Sequence, residues 1–160
     1  EAIEKWAEVK KENPNIKLHM IGKLQTNKVK FAVKLFDYIH SVDSEKLAKK
    51  ILEESEKINK KIKIFIQVNI GEENQKSGIK KNDLTKLVSF CKDSNLDLIG
   101  LMCIPPINTD PSEYFHEMNV LNQSFGFSEL SMGMSSDYLL ASQNSATFLR
   151  IGSSIFGQRY

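Results

Sequence analysis

Six times along this chain a short apolar run gives way to a stretch with helical spacing, and this alternation constrains the fold most tightly. The runs are 17–22, 38–42, 63–70, 98–104, 128–134 and 147–152. The run 63–70 is rich in Ile, Phe and Val and apolar nearly throughout, as a parallel strand buried on both faces should be. Helices are predicted over 2–12 and 26–35. A third, carrying Leu47, Ile51 and Leu52, is capped by Asp43-Ser44, and a fourth, carrying Leu84, Leu87, Val88 and Cys91, is capped by Asn82-Asp83. A fifth opens at Asp110-Pro111 and runs to about 125, with Pro in its first turn, and a short sixth covers 136–143. Strands joined by helices of crossover length are parallel, so the fold class is α/β and the 160 residues form one domain.

The last thirty residues add a second pattern. Met132-Gly133-Met134-Ser135-Ser136-Asp137 and Arg150-Ile151-Gly152-Ser153-Ser154 each break from an apolar run into Gly and Ser, where a strand hands over to a helix. Backbone N–H groups and hydroxyls at such junctions are donors for an anion. Two such cups on successive parallel strands match the phosphate site found after strands 7 and 8 of a (β/α)8 TIM barrel. Six strands cannot close an eight-stranded barrel, and such barrels run to about 250 residues. The expectation is therefore a barrel whose first two βα units lie upstream of residue 1, with an open six-stranded sheet as the alternative.

Charge is unevenly spread. Twenty lysines face thirteen acids over residues 1–92, a net +7, while two arginines face seven acids thereafter, a net −5. Acids interleave with the lysines, as Glu53, Glu54 and Glu56 do beside Lys57, Lys60 and Lys61, which reads as solvated helix faces. No nucleic-acid reader motif accompanies them, so no nucleic-acid partner is expected. Every apolar run is too short to span a membrane. Cys91 and Cys103 lack metal-ligand spacing and suit buried thiols in a reducing, cytoplasmic setting.

His19-Met20-Ile21-Gly22-Lys23-Leu24-Gln25-Thr26-Asn27-Lys28 resembles the His-x-Ile-Gly-x-Leu-Gln-x-Asn-Lys signature of the YggS/PROSC family of pyridoxal phosphate homeostasis proteins. Similar family segments are Ile39-His40-Ser41-Val42-Asp43, Gln67-Val68-Asn69-Ile70-Gly71, Lys76-Ser77-Gly78, Gly100-Leu101-Met102 and the two Ser/Gly cups. Seven weak motifs in the right order and spacing make a specific match over nearly the whole chain. Ser145-Ala146-Thr147 departs from the family's usual Gly-Ser-Thr before the last strand. The resemblance implies an alanine racemase N-terminal-domain-like barrel holding pyridoxal 5′-phosphate (PLP) without turnover, monomeric when intact. It also places the family's cofactor lysine on a strand upstream of this chain. Two exposed sheet edges are then expected to drive association of the fragment.

The site residues follow. Arg150 is one of only two arginines in a chain that otherwise uses lysine for positive charge, and by resemblance it lies beside the PLP ring nitrogen. Ser135, Gly152, Ser153 and Ser154, with Ile151 in the same turn, are expected to hold the phosphate; N-capping is their alternative role. Asn69 and Met102 are expected to line the ring. His19 sits equally well as a mouth residue or a buried hydrogen-bonded one. Gln25, Asn27 and Lys28 fit either a polar rim or capping. His40 and His116 have no carboxylate at a telling spacing, so a catalytic role lacks support. The rival function is a phosphate-handling barrel enzyme, a sugar-phosphate isomerase, an aldolase or an amino-acid racemase. Such an enzyme should show a Glu or Lys at a strand end facing substrate, and only Asp43 is an acid or lysine there.

Overall fold

A computed structural model describes residues 2–157. Six strands form one parallel sheet in chain order: β1 His19–Met20, β2 Tyr38–Val42, β3 Lys63–Val68, β4 Asp97–Cys103, β5 Glu129–Met134 and β6 Phe148–Arg150. The helices are α1 Ala2–Glu12, α2 Val29–Leu35, α3 Glu45–Glu56, α4 Lys81–Asp93, α5 Ser112–Ser124, α6 Tyr138–Gln143 and α7 Ser153–Phe156, with a 3-10 turn Thr26–Lys28 before α2. Parallel strands added in sequence with crossovers of one hand place every helix on the same face. The other face must then curl onto itself, and it does. His19 on β1 and Phe148 on β6, the two edge strands, bring their rings to 5.8 Å across the interior.

Alternation along the strands divides the burial between these faces. Ile39, Ile64, Ile66, Val68, Leu101, Cys103, Leu130 and Met132 pack outward. They meet Val29, Ala32 and Val33 of α2, Leu47, Ala48 and Ile51 of α3, Leu84, Leu87, Val88 and Cys91 of α4, Phe115 and Met118 of α5, and Ala141 of α6. His40, Phe65, Ser131, Phe148 and Arg150 face inward, joined by ring contacts and hydrogen bonds. Gly100 lies where β4 and β5 come closest, and a Cβ there would fall on the Glu129 carbonyl and crowd the Phe65 ring.

Three register shifts interrupt the sheet: one on β4, where the β3–β4 register passes from Ile64↔Leu98 to Phe65↔Gly100, and two that aim the interior. The β2–β3 register passes from Ile39↔Ile64 to Val42↔Ile66, one extra residue on β2 that turns Val42 toward the helices. The β5–β6 register passes from Ser131↔Phe148 to Met134↔Arg150, one extra residue on β5. Gly133, at φ +91°, lies in that bulge, where a Cβ would come within 2.6 Å of the Ala141 Cβ.

Several expected boundaries shift. The run 17–22 pairs only over β1, because this edge strand has one neighbour and its flanking carbonyls go elsewhere. Leu18 O accepts from Asp37 N and Tyr38 N, and Gly22 O accepts from Ser41 Oγ. The last run contracts to β6 at the other edge. Ser44 alone caps α3, accepting from Leu47 N at 3.4 Å, and Asp43 does not share the cap. Asn82 and Asp83 lie inside α4, whose cap position is Lys80 in extended conformation. Both cysteines are buried and free, and burial pushes each thiol up to about 12. Among the described residues no helix is long and apolar enough to cross a membrane.

Candidate functional site

The C-terminal ends of β5 and β6 bring the two cups together as one. After β5 the chain turns through Ser135 and Ser136 into α6, and Asp137 Oδ1 accepts from Met134 N at 2.6 Å, which closes that turn. After β6, Gly152 N donates to Ser135 Oγ at 3.0 Å and Ser154 N donates to the same oxygen at 3.3 Å. Ser154 Oγ donates to the Ser135 carbonyl at 3.3 Å. Two backbone N–H groups thus converge on one exposed oxygen, the arrangement an anion's oxygen would accept. A Cβ on Gly152 would meet no other atom within 4 Å, so the backbone is open on that side. Because α7 is a single turn, its dipole adds little, and individual N–H groups carry the cup rather than a helix field. Ser153 is exposed and makes no cup hydrogen bond with its side chain; it differs from Ser135 and Ser154 in this.

Arg150, at the end of β6, is the cationic centre of the mouth. Its Nη1 donates to Ser131 Oγ and its Nη2 to the Cys103 carbonyl, each at 2.8 Å. Both partners are neutral, so no salt bridge among the described residues holds it. Burial lowers its pKa, while Cys103 and the Asp137 carboxylate act the other way. A guanidinium remains charged through such shifts. Its Nε is buried and has no hydrogen-bond partner. Among the described residues this cation has no paired carboxylate, and its spare N–H fits a ligand that offers an acceptor.

Deeper in the interior a polar chain runs from Arg150 to the opposite edge. Ser131 Oγ lies 2.8 Å from His40 Nδ1, and His40 Nε2 lies 2.9 Å from His19 Nδ1. His19 stacks on Tyr38 at 4.1 Å and His40 on Phe65 at 4.4 Å. Burial, then repulsion from His19 and Arg150, pushes His40 down to about 3. Burial also lowers His19, opposed by Asp37.

Of the residues expected at the site, the structure gathers Ser135, Gly152 and Ser154 in the cup, with Arg150 and Ile151 leading into it. His19 joins the interior chain rather than standing alone at the mouth. Met102 is fully buried on the inward face, in register with Gln67. Both ends of the Asn69 amide close its own loop: Nδ2 donates to Glu73 O at 2.8 Å and Oδ1 accepts from Glu73 N at 3.2 Å. Sequence reasoning missed Ser131 and gave His40 no role. The available signal was period-two alternation, which sets both polar residues among apolar neighbours on buried strands.

A parallel sheet wound in one direction, with convergent N–H donors and Arg150 at its C-terminal rim, fits a barrel of the alanine racemase N-terminal type, and that domain family matches residues 1–160. Pyridoxal phosphate homeostasis proteins match too. That of Aquifex aeolicus is 36% identical over 155 residues, covering 91% of this chain and 68% of its own length. That of Pasteurella multocida is 34% identical over 170 residues, covering 99% and 73%. The chain belongs to the alanine racemase N-terminal domain family, and within it to the pyridoxal phosphate homeostasis proteins. The solved structure of PipY from Synechococcus elongatus PCC7942, with PLP bound, superposes with a TM-score of 0.83 at 31% identity, covering 98% of this chain and 77% of that one. Alanine racemase of Clostridium difficile 630 shares the fold, with a TM-score of 0.72 at 15% identity, over 98% of this chain and 43% of its own.

Proposed function

We propose that this chain binds PLP as a carrier in vitamin B6 homeostasis, without turnover. The observation that carries this reading is the pairing of the convergent donors around Ser135 with an adjacent arginine whose Nε lacks a partner. Gly152, Ser154 and Ser135 would hold the phosphate, with Ser153 at its rim. Arg150 would face the ring nitrogen, with Ile151 beside it in the chain, and Met102 and Asn69 would line the ring. Bound PLP supplies an electron-withdrawing ring, and a permanent cation opposite its nitrogen keeps that nitrogen unprotonated and blunts the effect.

The described strands support a carrier over an acid–base enzyme. Lys63, Asp97 and Glu129 each start a strand, at the end away from the cup. His40 is neutral and enclosed, and the Cys103 thiol stays protonated. Lys63 is the only lysine on a described strand, and it stands at the strand's first residue.

Titrations with PLP and with inorganic phosphate test the reading. Ser154→Ala is expected to weaken both ligands by several-fold. Arg150→Ala should weaken PLP by about tenfold or more and phosphate much less, because its contact is to the ring. Parent-like binding of both ligands by both variants would remove the proposed site.

A further inference from the structure

We propose that Ser131, His40 and His19 are positioning residues for Arg150, joined in a relay whose hydrogen bonds all run one way, from the guanidinium to the β1 edge. The direction follows from counting protons. A guanidinium can only donate, so Ser131 Oγ accepts from Arg150 Nη1. Ser131 has no solvent exposure, and its own hydroxyl proton has one acceptor within reach, His40 Nδ1. His40 therefore carries its proton on Nε2 and donates to His19 Nδ1. His19 in turn carries its proton on Nε2, at the half-buried edge of the sheet. The reverse assignment strands the Ser131 proton inside the barrel, at the cost of an unsatisfied buried donor.

The relay accounts for two features together. It explains how a cation sits in the interior without a paired carboxylate: β5 and the Cys103 carbonyl of β4 grip Nη1 and Nη2, and Nε is left over. It also explains why two histidines touch without a charge between them. A second proton on His40 would turn Nδ1 into a donor toward Ser131, which already accepts from Arg150. The groups facing the relay are Asp37 and Tyr38 beside His19, His19 and Arg150 on either side of His40, and Cys103 and Asp137 near Arg150. No carboxylate among these touches His40.

The inference rests on the reading that Arg150 faces the PLP ring, but its first test needs no ligand. Long-range nitrogen–proton spectra of the ligand-free chain should show His40 neutral and protonated on Nε2 from pH ~8 to ~5. Ser131→Ala should scramble the His40 tautomer and weaken PLP about tenfold, with inorganic phosphate affinity unchanged. Ser131→Thr keeps the hydroxyl and should restore both properties. A His40 protonated on Nδ1, a His40 that gains its second proton within that pH range, or parent-like PLP affinity in Ser131→Ala overturns the relay. If Ser131→Ala does not fold, the parent spectra and Ser131→Thr still decide. A parent with the expected spectra that fails to bind PLP upholds the relay and sinks the cofactor reading instead.

Discussion

His40 shows how one buried side chain ties stability to pH. In the unfolded chain it takes up a proton near 6.5, whereas in the folded chain burial delays this to about 3. Between those values the unfolded state binds more protons, so stability falls as pH drops from about 6.5 toward about 3. The slope cannot exceed about 1.4 kcal/mol per pH unit for one proton. His19, also lowered, acts with the same sign. Urea midpoints followed from pH ~7.5 to ~4.5 should decline for the parent, and the decline should be visibly flatter in His40→Gln. An equal slope in both would place the pH dependence elsewhere. Arg150 was legible in the sequence because arginine is so rare here. Ser131 was not, because a serine on an apolar strand has the same spelling whether it faces helices or the interior.

At the level of elements, all six strands were legible and their pairing rules were not. Dense Ile, Val and Phe runs bounded by Asp, Ser and Pro reveal strands, but ladder ends depend on neighbours, which is why the edge strands β1 and β6 contracted most. The bulges left faint traces in Gly100 and Gly133, and Gly133 reads equally well as part of a phosphate turn. Yet the extra residue sets Ser131 opposite Phe148 and Met134 opposite Arg150, and so brings the Arg150 guanidinium to Ser131. Gly133→Ala forces a left-handed backbone on an L residue and a Cβ against Ala141. It should destabilise the fold by about 1–3 kcal/mol, read from denaturant unfolding. The bound phosphate should loosen in parallel, since Ser135 follows the bulge directly. Full stability in that variant would show that the bulge is dispensable.

For the molecule as a whole, the sheet keeps β1 and β6 each paired on one side only among the described residues. Parallel edges with free N–H and C=O groups recruit further strands. The 160-residue chain is therefore expected to associate as its concentration rises, and sedimentation velocity over a wide range should show it. A sharp monomer at the highest concentration would contradict this. Among these edges, β6 is only three residues long, yet its last residue reaches past β5 to the β4 carbonyl of Cys103. Arg150 thus works as a crosstie beneath three rails, and whatever ligand grips its free nitrogen also clamps that edge of the sheet. Occupancy of the mouth and fraying of that margin become a single equilibrium, so amide exchange along β6 serves as a gauge of what the mouth contains.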